Sequence, residues 1–107
     1  MPPRRRAAQA TIIAVANQKG GVAKTTSVAS LGAAFVELDL RVLLVDLDAQ
    51  ACLTFSLGVD PDTVDESVHH ALLGQLTLAD IVLSTPDGVD LIPSTIELAG
   101  TEAALLG

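Results

Sequence analysis

The chain has 107 residues, half of them hydrophobic, which is enough apolar material for one domain and too much for a disordered tail. Its net charge of −7 argues against a surface that holds a polyanion by charge alone, and with Phe35 and Phe55 as its only aromatic residues it has no platform for stacking bases. Cys52 is the single cysteine and His69 and His70 are the only histidines, so neither a disulfide framework nor a zinc tetrad can be assembled, as suits a reducing cytoplasm. The charge is unevenly placed. Arg4, Arg5, Arg6, Lys19 and Lys24 precede residue 25, leaving Arg41 alone against all thirteen carboxylates, so anion binding is expected near the N-terminus. No apolar run approaches the roughly 18 to 20 residues of a membrane span. The Arg triplet followed by Ala14-Val15-Ala16 imitates a secretory signal, but residues 7–11 are too weakly apolar for its central segment.

Residues 1–10, with Pro2, Pro3 and the Arg triplet, show no periodicity and read as a flexible leader to a domain over 11–107. The apolar, β-branched run Thr11–Ala16 predicts a strand buried on both faces of a parallel sheet. Asn17–Lys24 predicts a glycine-containing loop. Val28, Leu31, Phe35 and Leu38 recur at helical spacing and predict a helix from Thr25 to Leu38, with Ala29, Gly32 and Ala33 as a small-residue face for close approach to a sheet. Arg41–Asp46 predicts a second buried strand, completing a βαβ unit. Leu53, Phe55 and Leu57 mark a short helix or turn, and residues 58–62 a loop. Short helices are expected at about 66–73 and 77–84, the second capped by Thr77 and Asp80. Pro86-Asp87-Gly88 predicts a turn, residues 89–93 a third strand, and Ser94 with Glu97 a capping box opening a last helix whose apolar face is Leu98, Ala99, Leu105 and Leu106. His69 and His70 read as a solvated helix face, and Cys52 as semi-buried. Three such strands would leave open parallel edges, which predicts the N-terminal portion of a larger α/β, doubly wound, mostly parallel sheet.

Strand, glycine loop, Lys-Thr and helix is an arrangement that turns backbone N–H groups toward phosphate. The loop departs from G-x-x-x-x-G-K-[ST], with Gln18 at the first glycine and Ala23 at the second, but Lys24 and Thr25 stand where a lysine would meet phosphate oxygens and a hydroxyl would meet Mg²⁺. On the loop alone, a structural turn competes with a phosphate site. Likewise Asp46 and Asp48 alone read as two carboxylates capping a strand.

Taken together, Gln18-Lys19-Gly20-Gly21-Val22-Ala23-Lys24-Thr25-Thr26 and Val45-Asp46-Leu47-Asp48-Ala49-Gln50 resemble the deviant Walker A loop and following acidic motif of ParA-type partition ATPases. Leu91-Ile92-Pro93-Ser94 and Leu98-Ala99-Gly100 extend the resemblance toward the end of the chain. It implies a P-loop ATPase fold binding ATP and Mg²⁺ through Lys19, Gly20, Gly21, Val22, Ala23, Lys24, Thr25 and Thr26. It implies that Lys19 reaches the nucleotide of a partner subunit in an ATP-bound sandwich homodimer. Asp48 matches the residue that orients the attacking water, and Asp46 would support the Mg²⁺ shell, with Thr25, or the loop. A ParB-type partner, non-specific DNA binding by the full-length form, and a cytoplasmic, nucleoid-associated place without stable membrane association are further implications. A MinD-like membrane-cycling ATPase and a truncated non-catalytic remnant are the alternatives.

Two departures bear on this resemblance. Ala23 replaces a usual glycine, which costs roughly 1–2 kcal/mol if that position needs positive φ and almost nothing otherwise. Ala49 replaces a usual proline and loosens the loop that carries Asp48. The Walker B aspartate, second switch loop and adenine contacts of the family are expected beyond residue 107, so the 107 residues alone are expected to be inactive in ATP hydrolysis.

Overall fold

The structure, a computed structural model, describes residues 11–13 and 21–106. Nine elements follow in order: α1 (Gly21–Glu37), β1 (Leu43–Val45), α2 (Cys52–Ser56), a 3-10 turn (Pro61–Thr63), α3 (Val68–Leu72), α4 (Leu78–Ile81), β2 (Leu83–Ser84), β3 (Asp90–Ile92) and α5 (Glu97–Leu106). The strand order is β1-β3-β2, with β1 parallel to β3 in the register Leu43 to Asp90, Leu44 to Leu91 and Val45 to Ile92. β2 pairs antiparallel with β3.

Side-chain alternation along β3 builds the layers. Val89 and Leu91 point to one side, where they join Leu53 and Leu57 of the α2 region and Val28, Ala29 and Val36 of α1. Ile92 points to the other, where it joins Val68, Ile81 and Leu98 from α3, α4 and α5. Both faces of the central strand are therefore covered by helices, as an α/β sheet of this class requires.

α1 lies close to the sheet through Gly32. A Cβ there would stand 3.1 Å from Leu44 Cδ1 and 3.3 Å from Val89 Cγ1. The stripe that packs on the core is Val28, Ala29, Gly32 and Val36, with Gly32 buried and the others half-buried; of the expected apolar positions, Leu31 and Leu38 are exposed. α1 ends in a Schellman motif: Leu40 N donates to Phe35 O at 3.1 Å and Asp39 N to Val36 O at 2.9 Å. Asp39 takes the left-handed conformation at φ 63° in place of the more usual glycine.

Several expectations need correction. Helical backbone begins at Gly21, so the loop expected over 17–24 gives up its last four residues to α1. Thr11–Ile13 are exposed and carry no strand, because no ladder reaches them among the described residues; Ala14–Ala16 and the leader 1–10 lie outside those residues. β1 is not buried on both faces: Leu44 packs toward α1, whereas Leu43 and Val45 are exposed at the edge of the described sheet. Among the described residues the sheet is small, with β1 parallel and β2 antiparallel to β3. The helix expected over 77–84 stops at Ile81, Val82 turns extended, and Leu83–Ser84 return along β3 through the Thr85–Gly88 turn, where Gly88 has φ 85°. Thr77 and Asp80 form the expected capping box. Ser94 does not cap α5, and Ala99 is exposed. His69 is a bridge between helices and not a solvated face, since Nε2 lies 3.4 Å from Glu97 Oε2 and Nδ1 bonds Thr101 Oγ1. His70 Nδ1 accepts from Ser67 N at the start of α3.

The close approach at Gly32 gives a stability test. Gly32→Leu should destabilise the domain by about 1–3 kcal/mol, because the whole side chain must enter a filled interface. Thermal unfolding unchanged by that substitution would show that α1 does not rest on Leu44 and Val89.

Candidate functional site

Because β1 and β3 are parallel, their C-terminal ends meet at one edge of the sheet, the usual place for ligands in open α/β folds. Asp46 N donates to Ile92 O at 3.1 Å, carrying the ladder one residue past β1. The Asp46 side chain then turns inward and is buried. Its Oδ2 accepts from Thr54 N at 2.9 Å and from Thr54 Oγ1 at 2.6 Å, and its Oδ1 accepts from Asp48 N at 3.1 Å. These three donors replace hydration at a site where an unpartnered carboxylate would be costly.

Asp48 is held from both sides of its own backbone. Its carbonyl accepts from Ala51 N at 2.8 Å and from Ser94 Oγ at 2.7 Å. Ser94 N in turn donates to Thr54 Oγ1 at 3.0 Å, so one buried hydroxyl links the two segments. The Asp48 carboxylate is half-buried and accepts Gln50 N at 3.0 Å. Ala51 adopts φ 56° and opens α2. Ala49 is half-buried against Val68, Ile81, Ile92 and Leu98. The loosening expected from the missing proline is thus offset by packing and by bonds at Asp48 on either side of Ala49's predecessor.

Lys24 and Thr25 are half-buried near the start of α1 and Thr26 is exposed. Gly21, Val22 and Ala23 are helical in backbone, a conformation of negative φ that does not call for glycine at position 23. The first N–H groups of such a helix have no intrahelical acceptor and are available to an anion. Lys19 and Gly20 lie outside the described residues. Cys52 is exposed, not semi-buried. Its thiol pKa is pushed up, first by local desolvation and then by the neighbouring Asp48 carboxylate, with Asp46 adding to this and Lys24 pulling the other way. Lys24, Asp46 and Asp48 therefore act on one atom.

Oxygen donors dominate this edge, which suits a hard cation such as Mg²⁺. Three of the roughly four lone-pair directions of Asp46 are already used, so its geometry is that of a loop support more than of an open ligand. Thr54 and Ser94 were not among the candidate site residues read from the sequence. Thr54 signals itself only as a polar residue between Leu53 and Leu57, and Ser94 is disguised by a cap pattern.

The profile of the AAA domain matches residues 10–107. The chain belongs to that family. Among curated relatives it is 45% identical over 95 residues to the chromosome-partitioning ATPase Soj of Thermus thermophilus, covering 89% of this chain and 36% of that protein. Others carry the names Soj, from Bacillus subtilis, and ParA, from Caulobacter vibrioides. A solved structure described as cobyrinic acid a,c-diamide synthase from Mycobacterium smegmatis, with bound ATP analog and magnesium, is 60% identical with a TM-score of 0.82, over 85% of this chain and 37% of that one. The septum site-determining protein MinD of Pyrococcus horikoshii, complexed with Mg-ADP, is 35% identical with a TM-score of 0.67, over 80% of this chain and 35% of that one. The chain spans 38% and 33% of the length of the first curated relatives it matches. The α/β architecture is thus that of the N-terminal part of ParA- and MinD-like P-loop ATPases.

The Cys52 thiol reports on the charges at this edge. At pH 8 it should alkylate with iodoacetamide more slowly than an unfolded-chain cysteine, because a raised pKa leaves less thiolate. Asp48→Asn should speed the reaction by about two- to fivefold, and Lys24→Ala should slow it. The reverse order would place those charges elsewhere.

Proposed function

We propose that the intact protein is a ParA-type partition ATPase that binds MgATP at the edge formed by the start of α1 and the 46–50 loop. The observation that carries this reading is the Asp46–Gln50 loop, held by the buried Asp46 and by Ser94 at the C-terminal ends of two parallel strands. The name of the Thermus Soj and the nucleotides in the related structures support it.

In this reading the N–H groups of Gly20, Gly21, Val22 and Ala23 surround the phosphates, Lys24 neutralises their charge, and Thr26 lies beside them. Thr25 offers its hydroxyl to Mg²⁺, and Asp46 supports that shell through the loop it holds. The ion, when bound, supplies charge neutralisation on the phosphate oxygens. Asp48 orients water for in-line attack. Lys19 reaches the nucleotide of a second subunit, where a cation in a water-poor site is worth more than in bulk solvent. ATP thus closes a homodimer, the dimer binds DNA without sequence preference, and a ParB-type partner stimulates turnover. The protein works in the cytoplasm on the nucleoid. No helix among the described residues is long and apolar enough to cross a membrane.

Two other readings have specific support: a MinD-like membrane cycle from the Pyrococcus structure, and ATP-driven amide formation from the Mycobacterium description. With a slowly hydrolysed ATP analogue, the intact protein should sediment as a dimer and retain duplex DNA while leaving anionic vesicles unbound. Vesicle binding without DNA binding would favour the MinD-like cycle, and ATP consumption that requires a carboxylate and ammonia or glutamine would favour the synthase.

Residue roles separate by variant. Lys24→Ala should weaken ATP binding by about two orders of magnitude in calorimetric titration, through loss of charge-assisted bonds to phosphate. Asp48→Ala should keep ATP affinity within about threefold while slowing hydrolysis by about 10²-fold or more, the range of a lost proton-handling group. Equal affinity in the first case, or wild-type turnover in the second, would contradict these roles.

A further inference from the structure

The 46–50 loop is held by a residue 46 positions downstream, and the manner of holding is selective. Ser94 is fully buried at the end of β3, as is Thr54 in α2. Ser94 Oγ donates to the Asp48 carbonyl at 2.7 Å, and Asp46 Oδ1 accepts the Asp48 N–H at 3.1 Å. The two peptide groups that flank the Asp48 Cα are thereby clamped, while its carboxylate accepts the Gln50 N–H. Thr54 couples the clamps, since its hydroxyl donates to Asp46 Oδ2 at 2.6 Å and accepts from Ser94 N at 3.0 Å. A hydroxyl has one proton and two lone pairs, so Thr54 can fill both roles at once and valine in its place could fill neither. The cap pattern that would otherwise explain Ser94 is unused, because α5 begins at Glu97 and Ser94 does not flank its first turn, whereas its hydroxyl donates to Asp48.

We propose that Ser94 is a positioning residue for Asp48, and that the Asp46–Thr54–Ser94 chain of hydrogen bonds sets the angle at which the Asp48 carboxylate meets water. This rests on the role given to Asp48 above. Ser94 touches no substrate in this account. It acts only through the Asp48 peptide, so its removal changes the placement of the carboxylate and leaves the start of α1 untouched. Placement errors of this kind act on turnover more than on ground-state binding.

The test uses the intact protein, with hydrolysis and ATP affinity measured on the same samples. Ser94→Ala should lower kcat by about tenfold with ATP Kd within about twofold of wild type. Thr54→Ser, which keeps the hydroxyl, should stay near wild type in turnover, and Thr54→Val should behave like Ser94→Ala. In an Asp48→Ala background, Ser94→Ala should cause no further loss. If Ser94→Ala does not fold, the Thr54 pair decides alone. Wild-type kcat in Ser94→Ala, equal falls in affinity and turnover, no difference between Thr54→Ser and Thr54→Val, or a further loss in the Asp48→Ala background would each overturn the proposal. Wild-type turnover by Asp48→Ala itself would remove the role of Asp48 and the proposal with it, a failure distinguished from the others because it needs no substitution at Ser94.

Discussion

Asp46 leaves water at the end of β1, and a carboxylate so placed costs several kcal/mol unless donors replace its hydration shell. No ion pair involving Asp46 occurs among the described residues, and the donors are Thr54 N, Thr54 Oγ1 and Asp48 N. Each charge-assisted bond contributes about 1.5–3 kcal/mol, so three of them are of the size needed to offset burial. What the arrangement secures is direction. The chain turns back over the sheet edge at residues 46–51, α2 begins where Thr54 can reach Asp46, and the end of β3 is drawn to the same point through Ser94. The geometry of this edge thus depends on one buried carboxylate.

The layers around this edge follow from β3. Its alternating side chains feed Leu91 into the cluster under α1 and α2 and Ile92 into the one under α3, α4 and α5. α1 can lie close because Gly32 presents no side chain to Leu44 and Val89. That contact carries Lys24 and Thr25 toward the strand ends where Asp46 and Asp48 stand. His69, bonded to Thr101 and set against Glu97, ties α3 to α5 on the far side. Val68 N donates to Pro93 O at 2.8 Å, so the same layer also braces the segment that holds Ser94.

Much of this was legible in the chain. The helical spacing in α1, the small face at Gly32, the Thr77–Asp80 cap, the turn at Pro86–Gly88 and the acidic pair after the strand are local patterns, and local patterns survive folding. Contacts between distant segments were not legible. β2 is two residues long and continues the apolar rhythm of α4, so its antiparallel return had no signal of its own. The exposure of Leu43 and Val45 depends on what lies beside β1, which hydropathy does not encode. Ser94 matched a cap pattern that α5, beginning at Glu97, does not use, and Thr54 carried no motif at all. The family resemblance named candidate residues because it compares whole motifs, whereas the hydrogen bonds around Asp46 and Asp48 had to be read from the fold.

The claim that one buried carboxylate organises the loop can be tested by amide hydrogen exchange in the intact protein without nucleotide. The Asp48, Thr54 and Ser94 N–H groups should be protected together in the wild type and released together by Asp46→Ala, while those of β3 and α1 stay protected. Continued protection of the Asp48 and Ser94 amides in Asp46→Ala, or their independent exchange in the wild type, would show that Asp46 does not hold the loop.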